Sequence, residues 1–262
     1  MTNKNQTALI TGPTSGIGEQ FALQMAETGY HLVLVSRSEA KLAALSKKLS
    51  HAHGVKTHYI LADLSDPEAP DRIFEETSRL GITIDILVNN AGFDVYAPFV
   101  ESDWQDTQNL INVNVMAVVR LTHLYLPGMI ARNAGHVVNV GSIGSFIPGP
   151  NNAVYAATKA FILSFSEAIA EELRETKVGV TCLCPGAVDT AFADKSNLHN
   201  TPLFKYTAMD PQSVAEAGVR AMHQNKRVDV PGLINKVMVF LSRFVPRSLV
   251  TRLSKRAMSR EE

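Results

Sequence analysis

Thr7-Ala8-Leu9-Ile10-Thr11-Gly12-Pro13-Thr14-Ser15-Gly16-Ile17-Gly18 is the stretch from which the rest of the chain can be read. Thr7 to Thr11 has the composition of a short buried strand, and glycines follow it at once. Ile17, Phe21 and Met25, with Ala22 and Ala26, then recur at helical spacing. The order is therefore strand, glycine-rich turn, helix. Glycines allow the tight turn and let a phosphate approach the helix N-terminus, where backbone N–H groups lack partners. The spacing is G-x-x-x-G-x-G rather than G-x-G-x-x-G, so on this stretch alone a plain connecting turn stays open as a second reading.

The same alternation continues downstream. His31 to Val35, His58 to Ala62, Asp85 to Val88, His136 to Val140 and Val178 to Cys184 are short apolar runs, as parallel strands covered on both faces should be. Between them lie helical patterns over Ala40–Ala52, from Asp66-Pro67 toward Leu80, over Asp103–Ala131, and from before Tyr155 to Leu173. Pro127 is expected to kink the end of the third of these. There is no internal repeat, low-complexity tract or linker. The pattern predicts one α/β domain over 1–262, with a parallel sheet and helices on both faces.

Ligands bind outside the carboxyl ends of the strands in such sheets, and the unusual residues cluster at those ends. Ser36-Arg37 follows the second strand, where a carboxylate would grip a ribose 2′-hydroxyl. A hydroxyl and a guanidinium suit a 2′-phosphate instead, so NADP is favoured over NAD, the alternative being a solvated arginine on a turn. Asp63 and Leu64 close the third strand; Asp63 could take an adenine amino group or cap the next helix. Asn89-Asn90-Ala91-Gly92 closes the fourth, either to let a ligand pass or as an asparagine-stabilised turn. Asn114 is an amide inside an apolar helical stripe and needs a partner. Gly141-Ser142 closes the fifth strand. Tyr155 and Lys159 stand four apart on the following helix, a common spacing on solvated helices. On one face an ammonium favours the ionised phenol, which suits acid–base work on a carbonyl or alcohol.

Lys and Arg number 25 and so do Asp and Glu, which removes any global argument for nucleic acid. From Arg220 onward, however, ten Lys/Arg face three acids, a net of +7, leaving −7 on residues 1–219. Cys182 and Cys184 have neither metal nor redox spacing and read as buried thiols in a reducing compartment. No metal site is expected. The polar N-terminus shows no apolar signal region and no run is read as a membrane span, so a cytoplasmic protein is expected.

Thr11-Gly12-x-x-x-Gly16-x-Gly18, Asp63, Asn89-Asn90-Ala91-Gly92, Asn114, Ser142, Tyr155-x-x-x-Lys159 and Pro185-Gly186, in this order, resemble the short-chain dehydrogenase/reductase family over residues 7 to about 190. Pro13, where the family often has Ala or Gly, is a mild departure. The resemblance implies a Rossmann fold, doubly wound, of about seven parallel strands, the seventh over Arg227–Pro231. It implies a nicotinamide cofactor, a homodimer or homotetramer, and a small-molecule carbonyl or alcohol as substrate. Tyr155 would be the general acid, Lys159 would bind the nicotinamide ribose and lower the tyrosine's pKa, and Ser142 would hold the carbonyl oxygen. Asn114 would hold a water linking Lys159 to solvent. Gly12, Ser15, Gly16, Ile17 and Gly18 would cradle the pyrophosphate. Asp63, Leu64, Asn90, Ala91 and Gly92 would border the cofactor, with Val188 and Thr190 at its carboxamide.

Residues 190–210 are expected to form a substrate lid, and Phe93, Phe146, Ile147, Ala187 and Phe192 either line a pocket or join the core. Residues 232–262 form a basic amphipathic tail, with Leu233, Val237, Phe240, Leu241 and Phe244 on one stripe. Packing on the body or on another subunit is the favoured reading of that tail, and an anionic membrane surface the alternative. Its likeness to a branch near the 3-ketoacyl and 17β-hydroxysteroid reductases hints at lipid-like substrates. A non-catalytic NADP-binding sensor, a membrane-associated lipid carbonyl reductase and a sugar-nucleotide epimerase are the rivals; the last lacks its glycine spacing and larger substrate domain here.

Overall fold

The structure is a computed structural model that describes residues 5–190 and 201–259. Its centre is a seven-stranded, all-parallel sheet in the order β3-β2-β1-β4-β5-β6-β7. The strands are β1 (Thr7–Thr11), β2 (His31–Ser36), β3 (Thr57–Leu61), β4 (Ile86–Asn89), β5 (Gly135–Val140), β6 (Val178–Leu183) and β7 (Val228–Asp229). β1 lies between β2 and β4, with Ile10 level with Leu34 on one side and Val88 on the other. The chain order reverses at β1, so a crevice opens there at the carboxyl ends of the strands.

Alternation along each strand feeds two cores. Ala8, Ile10, Leu32, Leu34 and Val88 face α1 (Gly16–Glu27), α2 (Glu39–His53) and α8 (Pro211–His223), meeting Phe21, Leu42 and Val214. Leu9, Val33, Leu87 and Val137 point the other way, toward α3 (Ala69–Arg79) and α5 (Ala117–Ala131), meeting Ile73 and Leu121. Leu9, Ile10, Phe21 and Leu121 are wholly enclosed, each a burial of roughly 1.5–3 kcal/mol. Cys182 and Cys184 are free, buried thiols under α6 (Ala153–Glu172), their sulfurs 3.6 Å apart.

The structure adds detail to four of the sequence readings. The long helix runs without interruption from Trp104 to Ala131, but α4 (Trp104–Ile111) passes into α5 through a π-helical turn over Asn112–Met116. Pro127 lies inside α5, which runs on past it to Ala131. β7 is shorter than Arg227–Pro231, because Pro231 has no N–H to extend the ladder and Gly232 turns away at φ 87°. Finally, Trp104–Ala131 and Ala153–Glu172 are long and apolar enough to cross a membrane by composition. Both lie against the sheet, with Leu110, Leu121, Ile162 and Leu163 buried, which accounts for their apolarity.

His136, buried on β5, carries a pH prediction. Its Nε2 is 2.8 Å from Thr181 Oγ1, and that hydroxyl donates its own proton to the Lys226 carbonyl. Nε2 is therefore the protonated nitrogen of a neutral ring. Burial, reinforced by His223, lowers the pKa from 6.5 to about 4. Between these values the unfolded chain binds more protons than the folded one, so stability falls as pH drops through the window. Urea unfolding should show the protein losing about 3 kcal/mol more between pH 7 and 4 than its His136→Gln variant.

Candidate active site

The glycine turn sits at the reversal point. Gly12 and Gly16 have φ of +66° and +57°, the left-handed region open to glycine. Gly18 is required for space: a Cβ there would lie 2.2 Å from the Gly12 carbonyl oxygen and 2.3 Å from Asn90 Nδ2. Asn90 Nδ2 donates to the Thr11 and Gly12 carbonyls at 2.9 and 3.1 Å, and Thr11 Oγ1 accepts from the N–H groups of Asn90 and Ala91. The turn after β1 is thus fastened to the turn after β4. Ser15 is exposed at the N-cap of α1 and its side chain makes no capping bond. Thr190 packs over Gly16, while the side chains of Ile17 and Val188 pack on the first core. A cradle closed to side chains, with a helix N-terminus behind it, fits a dinucleotide pyrophosphate.

Toward β2 and β3, Thr14 Oγ1 lies 3.2 Å from Ser36 Oγ, so one hydroxyl pair spans the glycine turn and the end of β2. Arg37 is exposed and pairs with Asp63 at 3.6 Å. Asp63 does not cap the next helix; Oδ1 accepts from the N–H and hydroxyl of Ser65, and α3 begins only at Ala69. Burial pushes the Asp63 carboxyl up, but the Ser65 bonds and Arg37 together hold it below its usual value. Leu64 puts its side chain in the second core, leaving its backbone at the strand end.

The remaining candidates converge beyond β4 and β5. Ser142 follows β5, where Gly144 N–H donates to its Oγ at 3.0 Å and so sets its rotamer; Ser142 and Tyr155 hydroxyls share a hydrogen bond. Asn114, in the π-turn, binds Phe93 in both directions: its Nδ2 donates to Phe93 O at 3.0 Å and its Oδ1 accepts from Phe93 N at 3.2 Å. Nδ2 also reaches Thr158 Oγ1 on α6. A Cβ on Gly92 would meet both Asn114 Oδ1 and Lys159 Nζ, so that glycine lies between the two.

Lys159 is buried, 5 % exposed, and donates from Nζ to the Val140 carbonyl at 2.8 Å. Burial lowers its pKa to about 8, partly opposed by the two thiols and Asp94. The Nζ stands 5.6 Å from the centre of the Tyr155 ring. The expectation that Lys159 lowers the tyrosine's pKa is not met in this geometry. Burial, with the Asp94 carboxylate behind it, raises the phenol above its ordinary value, opposed by the Ser142 hydrogen bond. Tyr155 is consequently neutral at physiological pH, as a proton donor must be.

Several supporting residues escaped the sequence reading. Asp94 accepts from Asn152 Nδ2 at 3.1 Å and faces the Tyr155–Lys159 pair electrostatically. Ser145 joins the Ser142 N–H to the Lys159 carbonyl. Asn139 links Asn89 to Ser166 through the sheet. Asn235 sits so close beneath Gly186 that any side chain there would strike it. Its signal was available, since it is an amide in an apolar run, as Asn114 is. Phe93 and Phe146 are partly buried and pack against the cores; Ile147 and Ala187 are half-buried, and Phe192 lies outside the described residues. Residues 191–200 of the expected lid also lie outside. Its return is described: Met209 forms a parallel bridge with Val188, with Met209 N donating to Ala187 O and Asp189 N to Met209 O. A hollow of about 240 Å³ lined by Tyr30, His136 and His223 is at the opposite end of the sheet, away from all of these residues.

Comparison with known proteins agrees with this geometry. Residues 6–201 match the family model described as short chain dehydrogenase. A very-long-chain 3-oxoacyl-CoA reductase of Laccaria bicolor is 38 % identical over 182 residues, 68 % of this chain and 53 % of that protein. The chain thus spans about half the length of that curated relative. Among solved structures, a 7β-hydroxysteroid dehydrogenase is 28 % identical, with a TM-score of 0.85 over 95 % of this chain and 96 % of the other. A short-chain dehydrogenase from Sphingobium yanoikuyae in complex with NADPH is 28 % identical, with a TM-score of 0.79 over 93 % and 97 % of the two chains.

Proposed function

The chain belongs to the short-chain dehydrogenase family, and on that premise we propose that it is an NADP-dependent oxidoreductase acting on a carbonyl or secondary alcohol of a hydrophobic, acyl- or steroid-like substrate. The observation that carries the chemistry is the hydrogen-bonded Ser142–Tyr155 hydroxyl pair, with buried Lys159 beside it and the glycine cradle in the same crevice. When bound, the nicotinamide supplies or accepts the hydride. Tyr155 gives the carbonyl oxygen its proton in reduction and takes it back in oxidation. Ser142, its rotamer fixed by Gly144, donates to the same oxygen as charge develops there. Lys159 holds a positive charge under the site, and Asn114 fixes the Gly92–Phe93 backbone past which the cofactor would run.

The substrate class rests on the acyl and steroid enzymes among the relatives and neighbours. NADPH oxidation should be followed with long-chain 3-oxoacyl thioesters, steroid ketones, aromatic ketones and small aliphatic carbonyls. Turnover is expected to be greatest with the first two. NADPH binding without turnover of any of them would favour the sensor reading instead.

Preference for NADP rests on Thr14, Ser36 and Arg37. The Arg37–Asp63 pair is exposed and costs little to break, about 0–1 kcal/mol, so the guanidinium is available to a 2′-phosphate. Arg37→Ala should weaken NADPH roughly 10- to 100-fold. NADH affinity should change less than about two-fold, because the cation then has no anion to meet. Fluorescence titration with each nucleotide checks this, and equal losses would overturn it.

A further inference from the structure

The C-terminal helices do not bury their apolar stripe. In α9 (Leu233–Leu241) the buried residues are Asn235 and Val239, and in α10 (Arg247–Met258) only Val250 is buried. Leu233 is 77 % exposed, Phe240 58 % and Phe244 72 %, with Ile234, Val237 and Leu241 also outward. The Phe240 and Phe244 rings sit 5.1 Å apart and form one exposed aromatic wedge. Packing of this stripe on the chain's own body, one of the two arrangements that the favoured sequence reading allowed, is therefore not made among the described residues. The helices are nevertheless held in place. Asn235 Nδ2 donates to Pro231 O at 2.9 Å, Tyr96 Oη donates to Met258 O at 2.5 Å, and α7 (Pro202–Thr207) packs on α10.

Charge distinguishes the possible occupants. Lys236, Arg243, Arg247, Arg252, Lys255 and Arg256 are all exposed, and no Asp or Glu occurs between residues 230 and 259. In a two-fold contact each patch meets its own copy, so six cations would confront six. An anionic bilayer satisfies both properties together: it accepts the aromatic and aliphatic groups below its headgroups and attracts the cations. We propose that the α9–α10 face is a docking surface for anionic lipid bilayers. Since Asn235 lies beneath Gly186, at the carboxyl end of β6, docking sets the rim of the catalytic crevice beside the lipid. The proposal does not depend on the reading of the chemistry.

The test is co-sedimentation of the full chain with extruded vesicles of phosphatidylcholine alone and of phosphatidylcholine with phosphatidylglycerol, at low and high salt. The protein should sediment with the anionic vesicles, less at high salt, and remain in solution with the neutral ones. Lys236→Gln with Arg243→Gln should weaken partitioning about 25-fold, at roughly five-fold per cation. Phe240→Ser with Phe244→Ser should weaken it at least about ten-fold. Circular dichroism establishes that the variants fold; should they not, the lipid and salt comparison on the unmodified chain decides alone. No sedimentation, or equal sedimentation with both vesicle types, overturns the proposal. So does a dimer in light scattering that the Phe240/Phe244 variant converts to monomer, because a second copy would then cover the face.

Discussion

Tyr155→Phe should lower kcat on the order of 10³-fold while leaving NADPH affinity within about two-fold. The change deletes one oxygen and preserves the ring, so the packing around α6 survives. What it removes is the proton that must reach the carbonyl oxygen. Because burial and Asp94 keep the phenol protonated, that proton is present across the physiological range. Ser142 cannot replace it: its hydroxyl is already oriented by the Gly144 N–H, and a serine hydroxyl is a much poorer acid than a phenol. Stopped-flow or steady-state NADPH oxidation with the best substrate of the panel measures the loss, and a fluorescence titration measures binding. Full turnover by the phenylalanine variant would remove the proposed acid.

Gly18→Ala should abolish cofactor binding for practical purposes, weakening it about 100-fold or more, and destabilise the fold by roughly 1–3 kcal/mol. The methyl group would enter a space 2.2 Å from the Gly12 carbonyl oxygen and 2.3 Å from Asn90 Nδ2, and neither can retreat cheaply. Gly12 is backbone, and Asn90 is tied to Thr11 and Gly12 by the bonds that hold the turns after β1 and β4 together. Moving them opens the cradle itself. Gly54→Ala is the control. Nothing lies within 4 Å of its Cβ, so the cost is the φ of +67° alone, about 1 kcal/mol, with nucleotide affinity unchanged. A thermal melt and an NADPH titration on both variants separate space from backbone conformation.

The parallel sheet was legible because its strands are buried on both faces and stand out as unbroken apolar runs between helical periods. Several places where reading fell short share a cause: a partner distant in sequence. The π-turn at Asn114 is invisible in the apolar stripe, which continues through it without losing its spacing. Arg37 read as a lone cation because its carboxylate, Asp63, is on the next strand. Asp94 and Ser145 carried no pattern, since their importance comes from what β4 and β5 bring beside them. The tail's stripe was recognised, but periodicity cannot say whether such a face is covered.

The bridge between Val188 and Met209 fixes both where the chain leaves β6 and where it comes back to it. Both ends of the intervening segment are anchored at the carboxyl end of β6, on backbone hydrogen bonds that involve none of Ser142, Tyr155 or Lys159. Changing the length of chain between fixed ends costs little, about 0.6 kcal/mol per doubling. The chain between these anchors can therefore vary in length at little cost to the fold, with Ser142, Tyr155 and Lys159 left where they are. For an engineer, the two anchors are the points at which this stretch can be cut out and replaced.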